Sequence, residues 1–257
     1  MTERPILFSA PMVLALLAGR KTQTRRVVKA MAGQQSVWLT PELLAKVPKV
    51  EVGKWDCGFG VSLTHPGGGP LGFVECPYGA PGDRLWVRET WAFNGAAYKN
   101  YGPKGERHEV FVTYAADNTK RTHYFPEKAA VATPKQTIPE QREDEDDWEY
   151  QWRRENYLTQ FFRRLRPSIF MPRWASRIVL QVTEVRVERV QDITEADAIA
   201  EGIERSPGGP WRSYDREGGC CYLAADSYGS LWESINGAGS WALNPWVWVV
   251  EFKRVTP

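Results

Sequence analysis

The chain has 257 residues, an apolar fraction of 42% and a formal net charge of +2. This apolar fraction is sufficient for a buried core, which excludes a chain that is disordered throughout. A net charge so close to zero does not by itself predict nucleic-acid binding, because phosphate contacts depend on locally clustered Lys and Arg. The 12 Trp residues are unusual, and indole rings serve either as core residues or as platforms for base stacking.

The N-terminal segment predicts a short helix and no membrane span. Its apolar stretch of about nine residues is too short to cross a bilayer, and an acid stands where a secretory signal has its basic region. Ser9 can cap a helix that begins at residue 10 or 11 and runs to about Leu17, and Gly19 can end it. We therefore expect no membrane partner and a location in the cytoplasm, or in a cell infected by whatever encodes the chain.

Alternating apolar and β-branched residues predict strands further along the chain. The predicted strands are 84–91 after the turn 81–83, 109–115, 176–190 and 246–255. A bulge is expected near Thr183 in the third of them. No element is predicted between residues 32 and 79, which are rich in Gly and Pro.

Two more helices are predicted beside these strands. Thr194 and Asp197 resemble a capping box at the start of a short helix that ends near Glu201. A longer helix is expected at 222–236, with Leu231, Trp232 and Ile235 on its apolar face. Several strands with few, separated helices favour an α+β or barrel fold over a doubly wound sheet.

Residues from about 94 to 166 are interpreted as an insertion in a single domain that spans 1–257. The insertion contains an acidic run at 143–149, and the adjoining segment 152–177 holds seven Arg and one acid among its aromatic residues. This Arg-rich segment can contact nucleic acid, or it can pair with the acidic run of the same chain. The sequence leaves both interpretations open.

The segment Gly19–Arg26 packs four cations and two hydroxyl groups directly after the first predicted helix. Arg presents a planar fork to phosphate, Lys presents a compact charge, and Thr adds a hydroxyl, so the segment is a candidate anion-binding site. The alternative is a solvated basic loop at the negative end of the helix dipole.

Within this segment, Gly19, Lys21, Thr24 and Arg26 resemble the signature Gly-x-Lys-x-x-Thr-x-Arg of the ASCH family. Three further blocks are similar to ASCH proteins, in the same order along the chain. They are the phrase GDRLWVRETW at 82–91, the phrase MPRWASR at 171–177 and the terminal strand at 249–253. The resemblance covers a third to a half of the chain and is shared with long ASCH proteins often carried by phages. It implies a PUA-like β-barrel with flanking helices and a large insertion.

Inside the family, the chain is most similar to the compact N(4)-acetylcytidine amidohydrolases. This similarity implies that Lys21, Thr24 and Glu201 face one pocket and hydrolyse the amide of an acylated cytidine. Amide hydrolysis needs a nucleophile, a proton shuttle and a group that stabilises the developing oxyanion. Thr24 would be the nucleophile or orient a water, and Glu201 would carry a proton to the leaving amine. Lys21 would be a base if burial and its Arg neighbours lower its pKa, and an electrostatic stabiliser if it stays charged.

Two other functions remain open alongside the hydrolase. The protein can be a non-catalytic module for RNA or single-stranded nucleic acid, or a ribonuclease that uses the same basic cleft. The expected substrate or nucleic-acid contacts are Arg20, Arg26, Arg88, Trp91, Arg173, Trp174 and Arg177. The expected partner is RNA or a modified nucleoside, no cofactor is expected, and the sequence does not predict the oligomeric state.

Four Cys residues raise the questions of metal binding and disulfides. Cys57, His65 and Cys76 can be considered as zinc ligands, but their spacing matches no standard zinc finger and suggests no fourth ligand. No metal site is therefore predicted. Cys220 and Cys221 are adjacent, so a bridge between them would be strained, and they are interpreted as buried apolar residues.

Overall fold

A computed structural model describes most of the chain. The described residues are 1–29, 49–55, 58–64, 70–102, 105–126, 165–206, 209–215 and 219–255. The chain divides into two compact units, the first formed by 1–6, 15–87 and 177–257 and the second by 7–14 and 88–176. The predicted insertion at 94–166 lies in the second unit, and the assignment of one domain to the whole chain stays a prediction.

Strands outnumber helices, and the architecture is α+β as the sequence predicts. The strands are β1 (Glu3–Leu7), β2 (Gln23–Val27), β3 (Lys49–Trp55), β4 (Gly58–Thr64), β5 (Pro70–Glu75), β6 (Arg84–Arg88), β7 (Trp91–Gly102), β8 (Gly105–Tyr114), β9 (Lys120–Pro126), β10 (Leu165–Arg166), β11 (Val179–Arg189), β12 (Trp211–Arg212), β13 (Cys220–Cys221) and β14 (Trp246–Val255). The helices are α1 (Ala10–Leu17), α2 (Glu195–Ala200) and α3 (Ala224–Asn236). Short 3-10 turns lie at Ser168–Phe170, Arg173–Ala175 and Val190–Asp192.

The largest sheet belongs to the first unit and has the strand order β1-β6-β11-β14-β2. Strand β11 pairs antiparallel with β14 and with β6, and its register shifts between Val182 and Glu184, which confirms the predicted bulge at Thr183. In the described part of the chain this sheet keeps two open edges, β1 and β2. The α+β class is thus confirmed, whereas the PUA-like barrel stays a prediction.

Helices α2 and α3 pack through an apolar cluster against the largest sheet, β1-β6-β11-β14-β2. The buried members are Val190, Ile193, Ala198, Ile203, Trp211, Ala224, Tyr228, Trp232, Val247 and Val249. The predicted cap of α2 is confirmed, because the Thr194 side chain accepts a hydrogen bond from the Asp197 backbone N–H at 3.1 Å. Helix α3 buries Trp232 as expected, but Ile235 is 54% exposed. Within the described ranges, no helix is long and apolar enough to cross a membrane.

The register between β2 and β14 decides which β2 side chains face these helices. Arg25 lies opposite Val249 and Val27 lies opposite Val247, and both valines belong to the helix-side cluster. Since side chains alternate along a strand, the odd-numbered residues of β2 face the helices. Thr24 and Arg26 therefore face the other side of the sheet.

A three-stranded antiparallel sheet, β3-β4-β5, lies where the sequence predicts no element. Its apolar positions Val61, Leu63 and Val74 are fully buried. Gly60 allows two strands to approach closely, since an added Cβ would overlap the Val74 carbonyl oxygen and the Phe73 ring. Gly60, which weakens the strand pattern in the sequence, is thus part of the packing of this sheet.

The second unit contains a four-stranded sheet of order β10-β7-β8-β9. The predicted strand 109–115 corresponds to the second half of β8. Buried side chains from β7, β8 and the 3-10 turns form its described core, and Tyr114 donates a hydrogen bond to the Ala175 carbonyl at 2.8 Å.

Candidate functional site

The structure brings Lys21 and Glu201 together although 180 residues separate them in sequence. The Lys21 ammonium Nζ donates to Glu201 Oε2 at 2.7 Å and to the Glu201 backbone carbonyl at 2.8 Å. The two side chains are 0% and 3% exposed. A buried ion pair of this kind is rare unless its members satisfy each other, and it marks the first pair of candidate site residues.

Local backbone geometry places both residues of the pair. Lys21 precedes β2, and its neighbour Thr22 donates a backbone hydrogen bond to Ala200 at 2.9 Å, which ties the start of β2 to the end of α2. Glu201 follows α2 directly, and Gly202 then takes a φ of +86° that ends the helix. A Cβ at Gly202 would lie 3.0 Å from the Lys21 Cβ. The absence of a side chain at residue 202 is therefore what lets the two segments meet.

Arg25 extends the pair into a larger network on the helix side of β2. Its Nη2 lies 3.1 Å from Glu188 Oε2 and 3.2 Å from Asp197 Oδ2, and its Nη1 lies 3.7 Å from Glu201 Oε1. The Arg25 side chain is 0% exposed. Its guanidinium carbon also lies 6.0 Å from the centre of the Tyr228 ring. Arg25 is thus a fixed buried cation beside the Lys21–Glu201 pair.

A second arginine holds the outer carboxylates of this network. Arg186 contacts Glu188 Oε1 at 2.5 Å and Asp197 Oδ1 at 2.9 Å, and it pairs with Glu251. We call the set the charged cluster. Its members are Lys21, Arg25, Arg186, Glu188, Asp197, Glu201 and Glu251.

The charged cluster contains buried polar atoms that lack a hydrogen-bond partner among the described residues. They are Arg25 Nε, Arg25 Nη1 and Glu201 Oε1. Each such buried group costs about 1–3 kcal/mol of folding stability when it is unsatisfied. Groups of this kind are uncommon in native proteins, and a functional role is one explanation for them. Lys21, Arg25 and Glu201 form the inner cluster, which is therefore the best candidate site in the first unit.

Burial is the main cause of the perturbed pKa of Lys21. Desolvation lowers the pKa below its ordinary value of 10.5, the charge and hydrogen bond of Glu201 raise it in part, and the charges of Arg26 and Arg25 lower it further. The pKa of Lys21 is thus lowered mainly by burial, and less by the charges of Arg26 and Arg25. For Asp197, burial raises the pKa, but hydrogen bonds from Thr194 and the charges of Arg25 and Arg186 outweigh burial and leave the pKa lowered.

Thr24, the third predicted catalytic residue, is buried in β2. It lies in β2 between Gln23 and Arg25, whose side chains contact residues of α2 and the charged cluster. Neighbouring side chains in a strand point to opposite faces, so the alternation of β2 puts the buried Thr24 on the face opposite to Arg25. The structure brings Lys21 and Glu201 together, and the expectation that Thr24 faces the same pocket stays a prediction.

The two predicted anion contacts near β2 differ in their surroundings. Arg20 is exposed, its Nη2 lies 3.6 Å from Glu204 Oε1, and its Nη1 donates to the Gly202 carbonyl at 3.4 Å. Arg26 is half-buried and lies on the same face of the sheet as Thr24. Neither guanidinium belongs to the charged cluster, although the charge of Arg26 acts on Lys21.

The other predicted binding residues are divided between the two units. Arg177 is only 8% exposed and belongs to the first unit. In the second unit, Arg88 is half-buried and donates to the Ile169 carbonyl at 3.2 Å, and Arg173 is half-buried in a 3-10 turn.

The two predicted stacking residues belong to the core of the second unit. Trp91 is 3% exposed, so the face of its ring is covered by protein instead of being presented to a base. Trp174 is half-buried and meets Trp91 edge-on with ring centres 6.2 Å apart. His123 meets Trp174 edge-on at 5.3 Å. Trp91 is thus a core residue, and Trp174 packs against the same core.

Three of the four Cys residues lie in the described part of the chain, and their burial differs. Cys76 is fully buried, and burial raises the pKa of its thiol to about 11. Cys57 and His65 lie outside the described residues, as do the acidic run and residues 152–164, which are half of the Arg-rich segment. Among the residues described, no group of three His, Cys, Asp or Glu side chains is placed to hold a metal. Cys220 is exposed, so its interpretation as a buried apolar residue is wrong.

The sequence interpretation missed the carboxylates Glu188 and Asp197, the ring of Tyr228 and the position of Arg25 within the site. One available signal was the alternation of β2, which separates Arg25 from Thr24. The carboxylates carried no comparable signal, because they come from β11 and α2 and meet Arg25 only through the pairing of β11, β14 and β2.

Comparisons of the chain with protein-family descriptions, with curated proteins and with solved structures gave no match. The ASCH resemblance therefore depends on the sequence blocks alone.

Removing the charge of Glu201 should lower the pKa of Lys21 further. Both the charge and the hydrogen bond of Glu201 raise that pKa, so Glu201→Gln removes an influence that opposes burial. We expect an NMR titration of the Lys21 Cε resonance to show a lower midpoint in Glu201→Gln than in the wild type. Glu204→Gln is the matched control, because Glu204 is 39% exposed and pairs with Arg20. Equal midpoints in wild type and Glu201→Gln would contradict the assigned contact.

Proposed function

We propose that the protein hydrolyses the amide of N(4)-acetylcytidine, or of a similarly acylated base, as a nucleoside or within RNA. The observation that supports this function best is the buried Lys21–Glu201 pair with its contact of 2.7 Å. Perturbed ionisable groups of this kind concentrate at catalytic sites. The ASCH resemblance, with Lys21 inside the family signature, suggests the class of substrate.

The proposal includes the fold that the resemblance implies. The charged cluster sits on the sheet β1-β6-β11-β14-β2, and the signature residues Lys21 and Thr24 lie at its edge strand β2. A PUA-like barrel would be built around such a sheet. We therefore propose ASCH membership together with the activity, and both rest on the same sequence blocks.

The proposed reaction divides the chemistry between the two residues of the pair. Lys21 passes its Nζ proton to Glu201 across the contact of 2.7 Å, a transfer that burial favours, and the neutral amine then takes a proton from the attacking water as the water oxygen bonds to the acetyl carbon. The bond from that carbon to N4 then breaks, N4 receives a proton from Glu201, and acetate and cytidine leave. Lys21 then holds the proton taken from water and Glu201 has given up the proton it received, so the ion pair is restored. Water is the nucleophile in this proposal, with Thr24 left as the alternative that the resemblance implies.

The test is the release of cytidine and acetate from N(4)-acetylcytidine by the purified protein. We expect turnover by the wild type and a fall in kcat/KM of roughly 10²–10⁴-fold in Lys21→Ala and in Glu201→Gln, because each removes a proton-transfer group. Lys253→Ala and Glu184→Gln are matched controls, since both side chains are exposed on neighbouring strands and should leave turnover unchanged. Circular dichroism is the control that checks whether each variant is folded.

Two results would reject the hydrolase. The first is no cytidine release by the wild type at stoichiometric enzyme. The second is unchanged turnover in Lys21→Ala. Tight RNA binding that weakens steeply with salt, without turnover, would favour the binding module, and shortened RNA would favour the ribonuclease.

A further inference from the structure

The Arg25 guanidinium is held by one of its three nitrogens, and a second lies near Glu201. Nη2 lies between Glu188 and Asp197, at 3.1 and 3.2 Å. Nε and Nη1 are buried and have no hydrogen-bond partner among the described residues. A guanidinium cannot lose its proton in a protein, so these two N–H groups are permanent cationic donors.

A matching acceptor lies beside these donors. Glu201 Oε1 is buried, lacks a hydrogen-bond partner in the described part of the chain, and lies 3.7 Å from Arg25 Nη1. That separation is too long for a direct hydrogen bond. The other carboxylate oxygen, Oε2, is occupied by Lys21. The inner cluster therefore offers cationic donors and one free carboxylate oxygen side by side.

Building on the proposed hydrolysis, we propose that Arg25 is a further catalytic residue, which donates hydrogen bonds to the carbonyl oxygen of the amide and stabilises the oxyanion of the tetrahedral intermediate. In that intermediate the oxyanion and the leaving nitrogen are bonded to the same carbon. Adjacent donors and a carboxylate suit this pair of atoms, with Arg25 toward the oxygen and Glu201 Oε1 toward the nitrogen. The oxyanion returns its electron pair to the carbonyl as the carbon–nitrogen bond breaks and the nitrogen takes the proton.

Arg25 suits this role better than Lys21 does. The Lys21 ammonium already donates to the Glu201 carbonyl and to Oε2, at 2.8 and 2.7 Å. Arg25 has unused donors, and its position is fixed by two carboxylates and by the Tyr228 ring at 6.0 Å. Fixed donors that need not reorganise during the reaction are the most effective way to stabilise developing charge.

The experiment compares Arg25→Lys, Arg25→Ala and the control Arg254→Lys in the N(4)-acetylcytidine assay. Arg25→Lys keeps a positive charge for Glu188 and Asp197 but loses the planar fork, so it should fold and lower kcat by roughly 10²–10³-fold with little change in KM. Guanidinium ion at millimolar concentration should restore part of the turnover of Arg25→Ala. Arg254 is exposed on β14, so its replacement should leave kcat unchanged.

The outcomes separate this inference from the proposed function. A wild type without turnover rejects the hydrolase and this role with it. An active wild type together with Arg25→Lys at a kcat within threefold of the wild type overturns the role of Arg25 alone. A merely structural role predicts a lower thermal midpoint, a kcat that is unchanged per folded molecule and no rescue by guanidinium. If Arg25→Ala does not fold, the kcat of folded Arg25→Lys decides the question.

Discussion

Replacing Glu201 with leucine is expected to lower the free energy of unfolding by about 3–5 kcal/mol. The reason is the position of its partner, because Lys21 is 0% exposed at its side chain and loses both the charge and the hydrogen bond of Oε2. A buried ammonium without a counter-charge is costly, and it can avoid that cost only by giving up its proton. Urea denaturation monitored by circular dichroism measures the change.

The double variant Lys21→Met, Glu201→Leu should recover most of the lost stability. Buried ion pairs are often replaced by apolar residues of similar volume at little net cost, whereas a single replacement leaves an uncompensated charge. Glu204→Leu is the matched control for the single change, and we expect it to lie within about 0.5 kcal/mol of the wild type because Glu204 is a surface residue. A single variant as stable as this control would show that the pair is not buried as described.

Gly202→Ala is expected to destabilise the protein by about 2–5 kcal/mol, and to lower turnover as well. One part of the loss is backbone strain, since residue 202 has a φ of +86°, which costs an L-residue about 1–2 kcal/mol. The other part is overpacking, of about 1–3 kcal/mol, because the new Cβ would lie 3.0 Å from the Cβ atoms of Ala15 and Lys21. Pushing Lys21 aside would also lengthen its contact with Glu201.

Gly19→Ala separates these two contributions. Gly19 follows α1 as Gly202 follows α2, each donates its backbone N–H to the carbonyl three residues earlier, and Gly19 has a φ of +72°. A Cβ at Gly19 would meet nothing within 4 Å. We therefore expect only the backbone cost of about 1–2 kcal/mol at Gly19. Equal destabilisation of the two variants would mean that no close contact exists between residue 202 and Lys21.

Local patterns were sufficient to predict the elements that carry the site. The last strand, 246–255, agrees with the structure at both ends, and helix α3 begins two residues later than predicted, at Ala224. The bulge at Thr183 and the Thr194 cap are also local features, set by nearest neighbours in sequence. The sheet β3-β4-β5 was missed because its Gly and Pro residues, which fit close strand packing, are read in a sequence as turns.

The site itself depends on contacts that no local pattern contains. The proximity of Lys21 and Glu201 was suggested only by the family resemblance, since 180 residues separate them. The position of Arg25 was missed for another reason: the motif suggested that Lys21 and Thr24 act together, whereas strand alternation separates Thr24 from its neighbour Arg25. The pairing of β2 with β14, and of β14 with β11, then brings Glu188 to Arg25.

Turnover of N(4)-acetylcytidine by the double variant Lys21→Met, Glu201→Leu tests most directly whether the buried pair does chemistry or only supports the fold. The account predicts a folded protein, with a free energy of unfolding close to that of the wild type, that releases no cytidine under conditions where the wild type does. A double variant that releases cytidine at the wild-type rate would contradict it.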